Sequence, residues 1–149
     1  ATGTAGIAGI TNVTGGAAGD TLVGNAVANA LTGNGGRDIL IGAGGADALV
    51  GGGGDDLLIG GSTAHDGTAT SLVAIRKEWV RAVAYPTRIG HLLGTLAGGL
   101  NGTVFLDATG VSDDGGAADA LTGGLGKDWF LTFAGDTTDA VAGETVTAH

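Results

Sequence analysis

Between Val13 and Leu58 the apolar positions Val13, Leu22, Leu31, Leu40, Leu49 and Leu58 recur every nine residues. A comb of glycines, Gly6, Gly15, Gly24, Gly33, Gly42, Gly51 and Gly60, keeps the same step, and a polar series of Thr11, Asp20, Asn29, Asp38, Asp47 and Asp56 runs between the two. So short a period decides the fold before any single element does. Each unit reads as a Gly-rich turn, a polar residue and a three-residue strand whose central Leu or Val points to one face while its neighbours point to the other. Such a strand cannot stand alone. Stacking one per turn at about 4.8 Å lets each pair its backbone with the next and buries the Leu column continuously. The glycines permit the tight turns, through positive φ and through close backbone packing. The predicted fold class is therefore all-β, a parallel β-solenoid.

The repeat breaks after Gly61, and the spacing of Leu72, Ile75, Trp79 and Val83 predicts a helix over 71–84, capped by Ser71 or Thr70 and ended by Pro86. A second short turn follows around Arg88 to Leu93. From Asn101 the β pattern resumes with Thr103 to Leu106, then an acidic turn at Asp113 and Asp114, then Asp119 with Leu121 and Asp128 with Phe130; extra residues around Gly115 and Gly116 disturb the register. The organisation read from this is 1–63 as N-terminal repeats, 64–100 as a helical insert packed on them, and 101–149 as C-terminal β repeats and tail, one structural domain overall. Alternation sends Ile39, Ile41, Leu57 and Ile59 outward on one sheet, against Asn12, Thr14, Ala30, Thr32, Ala48 and Val50 on the other. An apolar outer face needs a cover, either the helix through Trp79 or another subunit.

Composition narrows the chemistry. With no Cys among 149 residues disulfides are excluded, and with 4% aromatic residues the core must be built from small aliphatics. A formal charge of -9 disfavours nucleic acid and anionic lipid, which need clustered positive charge, and favours cations. Four of the six basic residues, Arg76, Lys77, Arg81 and Arg88, fall in the helical stretch, where a solvated face against an acidic roll outweighs an anion site. No apolar run is long enough to span a membrane, and a chain that begins at Ala1 is either processed or a piece of something longer. His65, His91 and His149 lie in no zinc-ligand spacing, and Ser62, Ser71 and Ser112 lie outside any nucleophile elbow, so the chain is not expected to be an enzyme.

The stretches Gly33-Asn34-Gly35-Gly36-Arg37-Asp38-Ile39-Leu40-Ile41 and Gly51-Gly52-Gly53-Gly54-Asp55-Asp56-Leu57-Leu58-Ile59 resemble the nonapeptide of RTX (hemolysin-type) proteins. The resemblance covers roughly residues 6–61 and recurs at Gly123-Gly124-Leu125-Gly126-Lys127-Asp128-Trp129-Phe130-Leu131. It implies a parallel β-roll with two nonapeptides per coil and Ca²⁺ between turns on the same side, held by Asp carboxylates and turn carbonyls. Same-side turns are then eighteen positions apart. One column holds Asp20, Asp38 and Asp56, with carbonyls of the Gly33 to Gly36 and Gly51 to Gly54 turns completing an oxygen cage suited to a hard cation. The other reads Thr11, Asn29, Asp47 and His65 and should be weak or empty, so calcium is expected mainly on one edge.

Asp119 and Asp128 continue the ligand series, with Asp107 and Asp113 as weaker candidates. Turn-forming Asp without a cation would have no reason to recur every nine residues, and stacked carboxylates would repel one another. The final Asp128-Trp129-Phe130-Leu131 and the weakly charged tail to His149 are similar to the C-terminal ends of RTX proteins exported by type I secretion. The resemblance implies a calcium-binding module that folds on Ca²⁺ after export from a bacterium, extracellular or at the cell surface, and structural rather than catalytic. The alternative is a self-assembling subunit of an extracellular filament or surface layer, joined through solenoid ends or the apolar outer face.

Overall fold

The structure is a computed structural model and describes residues 10–149, so Gly6 of the glycine comb lies outside the described residues. Its elements in chain order are β1 (Asn12–Thr14), β2 (Thr21–Val23), β3 (Ala30–Gly35), β4 (Ile39–Ile41), β5 (Ala48–Gly53), β6 (Leu57–Ile59) and β7 (Ser62–Thr63), followed by α1 (Ala69–Trp79) and α2 (Tyr85–Leu92). Then come β8 (Val111–Ser112), β9 (Ala120–Leu125), β10 (Trp129–Thr132), β11 (Thr137–Thr138) and β12 (Thr145–Ala148). Two five-stranded parallel sheets result, ordered β1-β3-β5-β9-β11 and β12-β10-β6-β4-β2. Successive strands alternate between them, and β7 and β8 form a small antiparallel pair. This mostly β architecture is compatible with a β-roll.

The eighteen-residue coil is visible in the pairing. Asn12 faces Ala30, Ala30 faces Ala48, and Thr21, Ile39 and Leu57 align in the other sheet. The next rung comes from far along the chain: Ala48 pairs with Ala120 and Leu57 with Trp129, and the corresponding aspartates are 72 rather than 18 residues apart. The chain thus leaves the ladder after Gly61 and returns in register at Ala120. Gly115 and Gly116, expected to disturb that register, sit in the connection before β9 and leave it intact. The strand expected at 103–106 does not form. Leu106 is instead buried with its N–H on the Leu92 carbonyl, and the Asn101 amide donates to the His91 and Val104 carbonyls.

Two apolar clusters explain why three-residue strands persist. Between the sheets Leu31, Leu49 and Leu121 meet Leu40, Leu58 and Phe130, with Val13 and Leu22 half-buried at one end. On the far side of the second sheet Ile39, Ile41, Leu57, Ile59, Trp129 and Leu131 join one cluster with Ile75, Trp79, Tyr85, Ile89 and Leu92 of the helices. Ile39 and Ile41 are 1% and 0% exposed. Burying a large apolar side chain of this kind contributes about 1.5–3 kcal/mol, so a sheet buried on both faces reads as a continuous apolar run.

The helix differs from its sequence reading in a definable way. α1 begins at Ala69 with Thr68 at its N-cap and ends at Trp79, well before Pro86. Pro86 lies in the first turn of α2, where its missing N–H costs nothing and its fixed φ suits the helix. Glycine is also used differently from expectation. Gly36 and Gly54 adopt positive φ (111° and 127°), whereas the nine-step glycines Gly33 and Gly51 do not. Those two are required by crowding. A Cβ on Gly33 would lie 2.7 Å from the Gly51 carbonyl oxygen and collide with Asp38 Oδ2; on Gly51 it would lie 2.8 Å from the Gly123 carbonyl oxygen and collide with Asp56 Oδ2.

Candidate metal centre

Each repeat aspartate sits just before a strand, and parallel pairing stacks it on its equivalent one coil away. One carboxylate oxygen closes the backbone ladder. Asp20 N–H donates to Asp38 Oδ1 (2.5 Å), Asp38 N–H to Asp56 Oδ1 (2.8 Å) and Asp56 N–H to Asp128 Oδ1 (2.7 Å). On the opposite edge Asn29 N–H donates to Asp47 Oδ1 (2.7 Å), Asp47 N–H to Asp119 Oδ1 (2.7 Å) and Asp119 N–H to Asp136 Oδ1 (3.0 Å). Asp38, Asp56 and Asp128 are completely buried, with Asp47 and Asp119 nearly so.

The second oxygen has no such role. Oδ2 of Asp38, Asp47, Asp56 and Asp128 is buried with no hydrogen-bond partner. Burying an unpaired ionised oxygen is costly, so four of them in register demand a cation or a proton. Each points into the space that a turn glycine leaves open, and for Asp38, Asp47 and Asp56 a main-chain carbonyl of the next rung faces the same space. Among the described residues no three His, Cys, Asp or Glu side chains converge on one point. Carbonyl oxygens must therefore make up the donor set, which suits Ca²⁺, a cation that accepts six to eight oxygens in flexible geometry, better than a transition metal. The donor chemistry fits: when bound, Ca²⁺ would neutralise the carboxylates and link adjacent rungs.

Without a cation the same groups resist ionisation. Burial first, then neighbouring carboxylates, push Asp56 and Asp119 from the usual 3.8 to about 7, against the hydrogen bonds from Asp38 and Asp47 N–H. Asp47 and Asp128 rise to about 6, and Asp38 is raised by its burial as well. The folded chain therefore holds protons that the unfolded chain has already lost between roughly pH 4 and 7, and calcium-free stability falls as pH rises through that window. In chelator, far-ultraviolet circular dichroism should show more residual β signal at pH 5 than at pH 8. More β signal at pH 8 would contradict the burial of these carboxylates.

The sequence-predicted residues are sorted plainly by these contacts. Asp20, Asp38, Asp56 and Asp128 share one column, with Gly33 and Gly51 at the cradles and Gly36 and Gly54 in the same turns. Asp47 and Asp119 share the other. His65, expected after Asp47, is off the ladder. Its Nε2 lies 3.0 Å from the Phe105 carbonyl oxygen, because the chain has already turned away and Asp119 takes the next rung. Asp107 caps its own turn through Thr109 and Gly110, and Asp113 receives only the Gly116 N–H. Asp136 was missed. It follows no Gly-rich turn, and only its spacing of 17 from Asp119 hints at its place.

A second missed residue is Asp55, at the variable position of its repeat. Its carboxylate pairs with Arg88 and, at 3.5 Å, with Arg37, and accepts Lys127 N–H, while its carbonyl accepts Trp79 Nε1–H at 2.9 Å. Arg88, assigned to a solvated basic face by its sequence setting, is 1% exposed and stacks 4.7 Å from the Trp79 ring centroid. The reason is local: the helices lie on the rung whose turn carries the only carboxylate paired with that guanidinium among the described residues. Glu78 is fully buried and burial alone would raise it, but His91 Nδ1 (2.7 Å), Leu100 N–H (2.6 Å) and Arg81 hold it below its usual range.

Stacked rungs with inward-facing, unpartnered carboxylate oxygens beside turn carbonyls define a class: parallel repeat proteins with oxygen donors for a hard cation. Residues 14–49 and 32–63 match the family model described as the RTX calcium-binding nonapeptide repeat, in four copies. Over those residues the chain carries repeats of the RTX calcium-binding kind. No curated protein and no solved structure matches it.

Proposed function

We propose that the chain is a calcium-loaded β-roll whose folding is driven by Ca²⁺ held between stacked aspartate rungs, and that it serves as a structural module outside a bacterial cell. The observation that carries this reading is the set of buried Oδ2 atoms on Asp38, Asp47, Asp56 and Asp128 without partners. Stacking that is destabilised by its own charge becomes stable when a dication is bound, so metal affinity adds to folding free energy. Coupling of this kind suits export, because a chain kept unfolded at low cytosolic calcium folds only where calcium is millimolar. Proteins with these repeats are typically secreted by bacteria, which agrees with that use.

In the same reading the donors of the first edge are Asp20, Asp38, Asp56 and Asp128 with carbonyls of the Gly33–Gly36 and Gly51–Gly54 turns. Asp47 and Asp119 serve the second edge, and the helical segment is a cover laid on the roll. Calcium titration of chelator-treated protein, followed by far-ultraviolet circular dichroism, should convert coil to β signal. A β signal indifferent to calcium and chelator overturns the proposal. End-to-end assembly is the use that the unpaired outer edge of β12 would serve. A monomeric scattering mass in millimolar calcium rejects it.

A further inference from the structure

Asp20, Asp38 and Asp56 follow one another at 18 residues, but Asp56 and Asp128, whose strands pair directly, are 72 residues apart. No short turn joins the two sides of this gap. On the returning side β10 cannot set its register by its own pattern: Trp129, Phe130 and Leu131 are apolar and buried on both faces, so a slip by one residue costs little in alternation. β9 alternates exposed and buried side chains at its start and resists such a slip. Among the described residues, α1 and α2 donate three side-chain hydrogen bonds to the roll, and all three land on the edges of the gap. Trp79 Nε1–H donates to the Asp55 carbonyl (2.9 Å), Arg88 to the Asp55 carboxylate, and the Tyr85 hydroxyl to the Asp128 carbonyl (2.6 Å). Asp55 adjoins the ligand Asp56, and Asp128 is the ligand of the next rung, its Oδ1 accepting Asp56 N–H at 2.7 Å. The two aromatic donors meet edge to face with ring centroids 6.1 Å apart, and Trp129 of the returning strand packs 6.0 Å from Trp79. Braced against each other, Trp79 and Tyr85 hold the main chain of both rungs at one spacing.

We propose that the helical unit is a staple across this gap as well as a cover, with Trp79 and Tyr85 as positioning residues that bring Asp128 into register with Asp56. Length alone is not the obstacle, because closure entropy rises only logarithmically with the number of residues in a loop. What the gap lacks is a turn to set the register of the incoming strand, and hydrogen bonds to two particular carbonyls supply it. The second edge has no such need. There Asp47 and Asp119 lie before β5 and β9, which both alternate, and no helix side chain donates to either aspartate. Docking of the helices and occupancy of the Asp56–Asp128 rung are then linked, each favouring the other by the same factor. The inference rests on the calcium reading above.

Hydrogen exchange of the full chain across a calcium titration tests it. Two amides cross the gap: Trp129 N–H on the Asp56 carbonyl and Ala120 N–H on the Asp47 carbonyl, both at 2.8 Å. Tyr85→Phe removes only the hydroxyl, and the Asp128 carbonyl keeps the Thr145 N–H (3.1 Å), so no buried group is orphaned. In that variant the calcium midpoint for protection of the Trp129 amide should rise about three- to tenfold, as loss of one hydrogen bond predicts, while that of Ala120 stays at the parent value. Equal shifts at both amides, or none at either, overturn the staple. Should the variant fail to fold, the parent decides. The Trp129 amide and the Leu93 N–H that closes α2 on the Ile89 carbonyl should share one calcium midpoint, distinct from that of Ala120. A midpoint common to all three, or separate ones for Trp129 and Leu93, rejects the link. A parent chain whose protection ignores calcium would instead defeat the underlying reading.

Discussion

Asp56→Ala is expected to abolish calcium-induced folding at calcium concentrations that fully fold the parent. Asp56 is completely buried just before β6, the middle strand of its sheet, and serves two rungs at once. Its Oδ1 accepts Asp38 N–H at 2.8 Å, its own N–H donates to Asp128 Oδ1 at 2.7 Å, and its Oδ2 faces the Gly123 carbonyl oxygen across the Gly51 cradle. Losing the hydrogen bond to a charged acceptor costs about 1.5–3 kcal/mol before the missing cation ligand is counted. Set against a total stability of about 5–15 kcal/mol, the combined loss is decisive. Asp20→Ala should do less, since Asp20 precedes the outermost strand of that sheet and faces a single neighbouring rung in the described column. Calcium midpoints from circular dichroism check the order, and equal shifts for the two variants would contradict it.

Asp55→Ala should release the helices from the roll while leaving the repeat ligands in place. Arg88 is 1% exposed, with Trp79 and Tyr85 rings at 4.7 and 5.6 Å from its guanidinium carbon. Removing one partner of a buried pair leaves an uncompensated charge, at a cost of about 3–5 kcal/mol. Replacing both, as Asp55→Ala with Arg88→Met, should recover much of that loss because no unpaired guanidinium then stays buried between the helices and the roll. Urea denaturation in saturating calcium, followed by the fluorescence of Trp79 and Trp129, measures both. A double variant no more stable than Asp55→Ala alone would show that the pair is not what holds α1 and α2.

Periodicity carried the repeat far because it is a local property with a global consequence. Leu31, Leu40, Leu49 and Leu58 at nine-residue steps are enough to predict parallel stacking and the column between the sheets. The chain's return at Ala120 was partly legible, since Asp119 and Asp128 repeat the motif, but which rung they join depends on how far the intervening chain travels. Nothing local encodes the direct pairing of Leu57 with Trp129. Counting by nine placed His65 on the second column for the same reason: the count continues past the point where the chain departs. Arg88 and Asp55 escaped because charge on a helix is ordinarily solvated, and only the packing of Trp79 on that rung turns the guanidinium inward. Asp136 had no Gly-rich turn to announce it.

Calcium's anomalous scattering from crystals grown in millimolar CaCl₂ tests most directly whether a cation occupies the space between stacked aspartates. Peaks beside Oδ2 of Asp38, Asp56 and Asp128, within about 2.3–2.6 Å of carboxylate and carbonyl oxygens, are the predicted result. A folded chain whose map carries no peak in either aspartate column would contradict it.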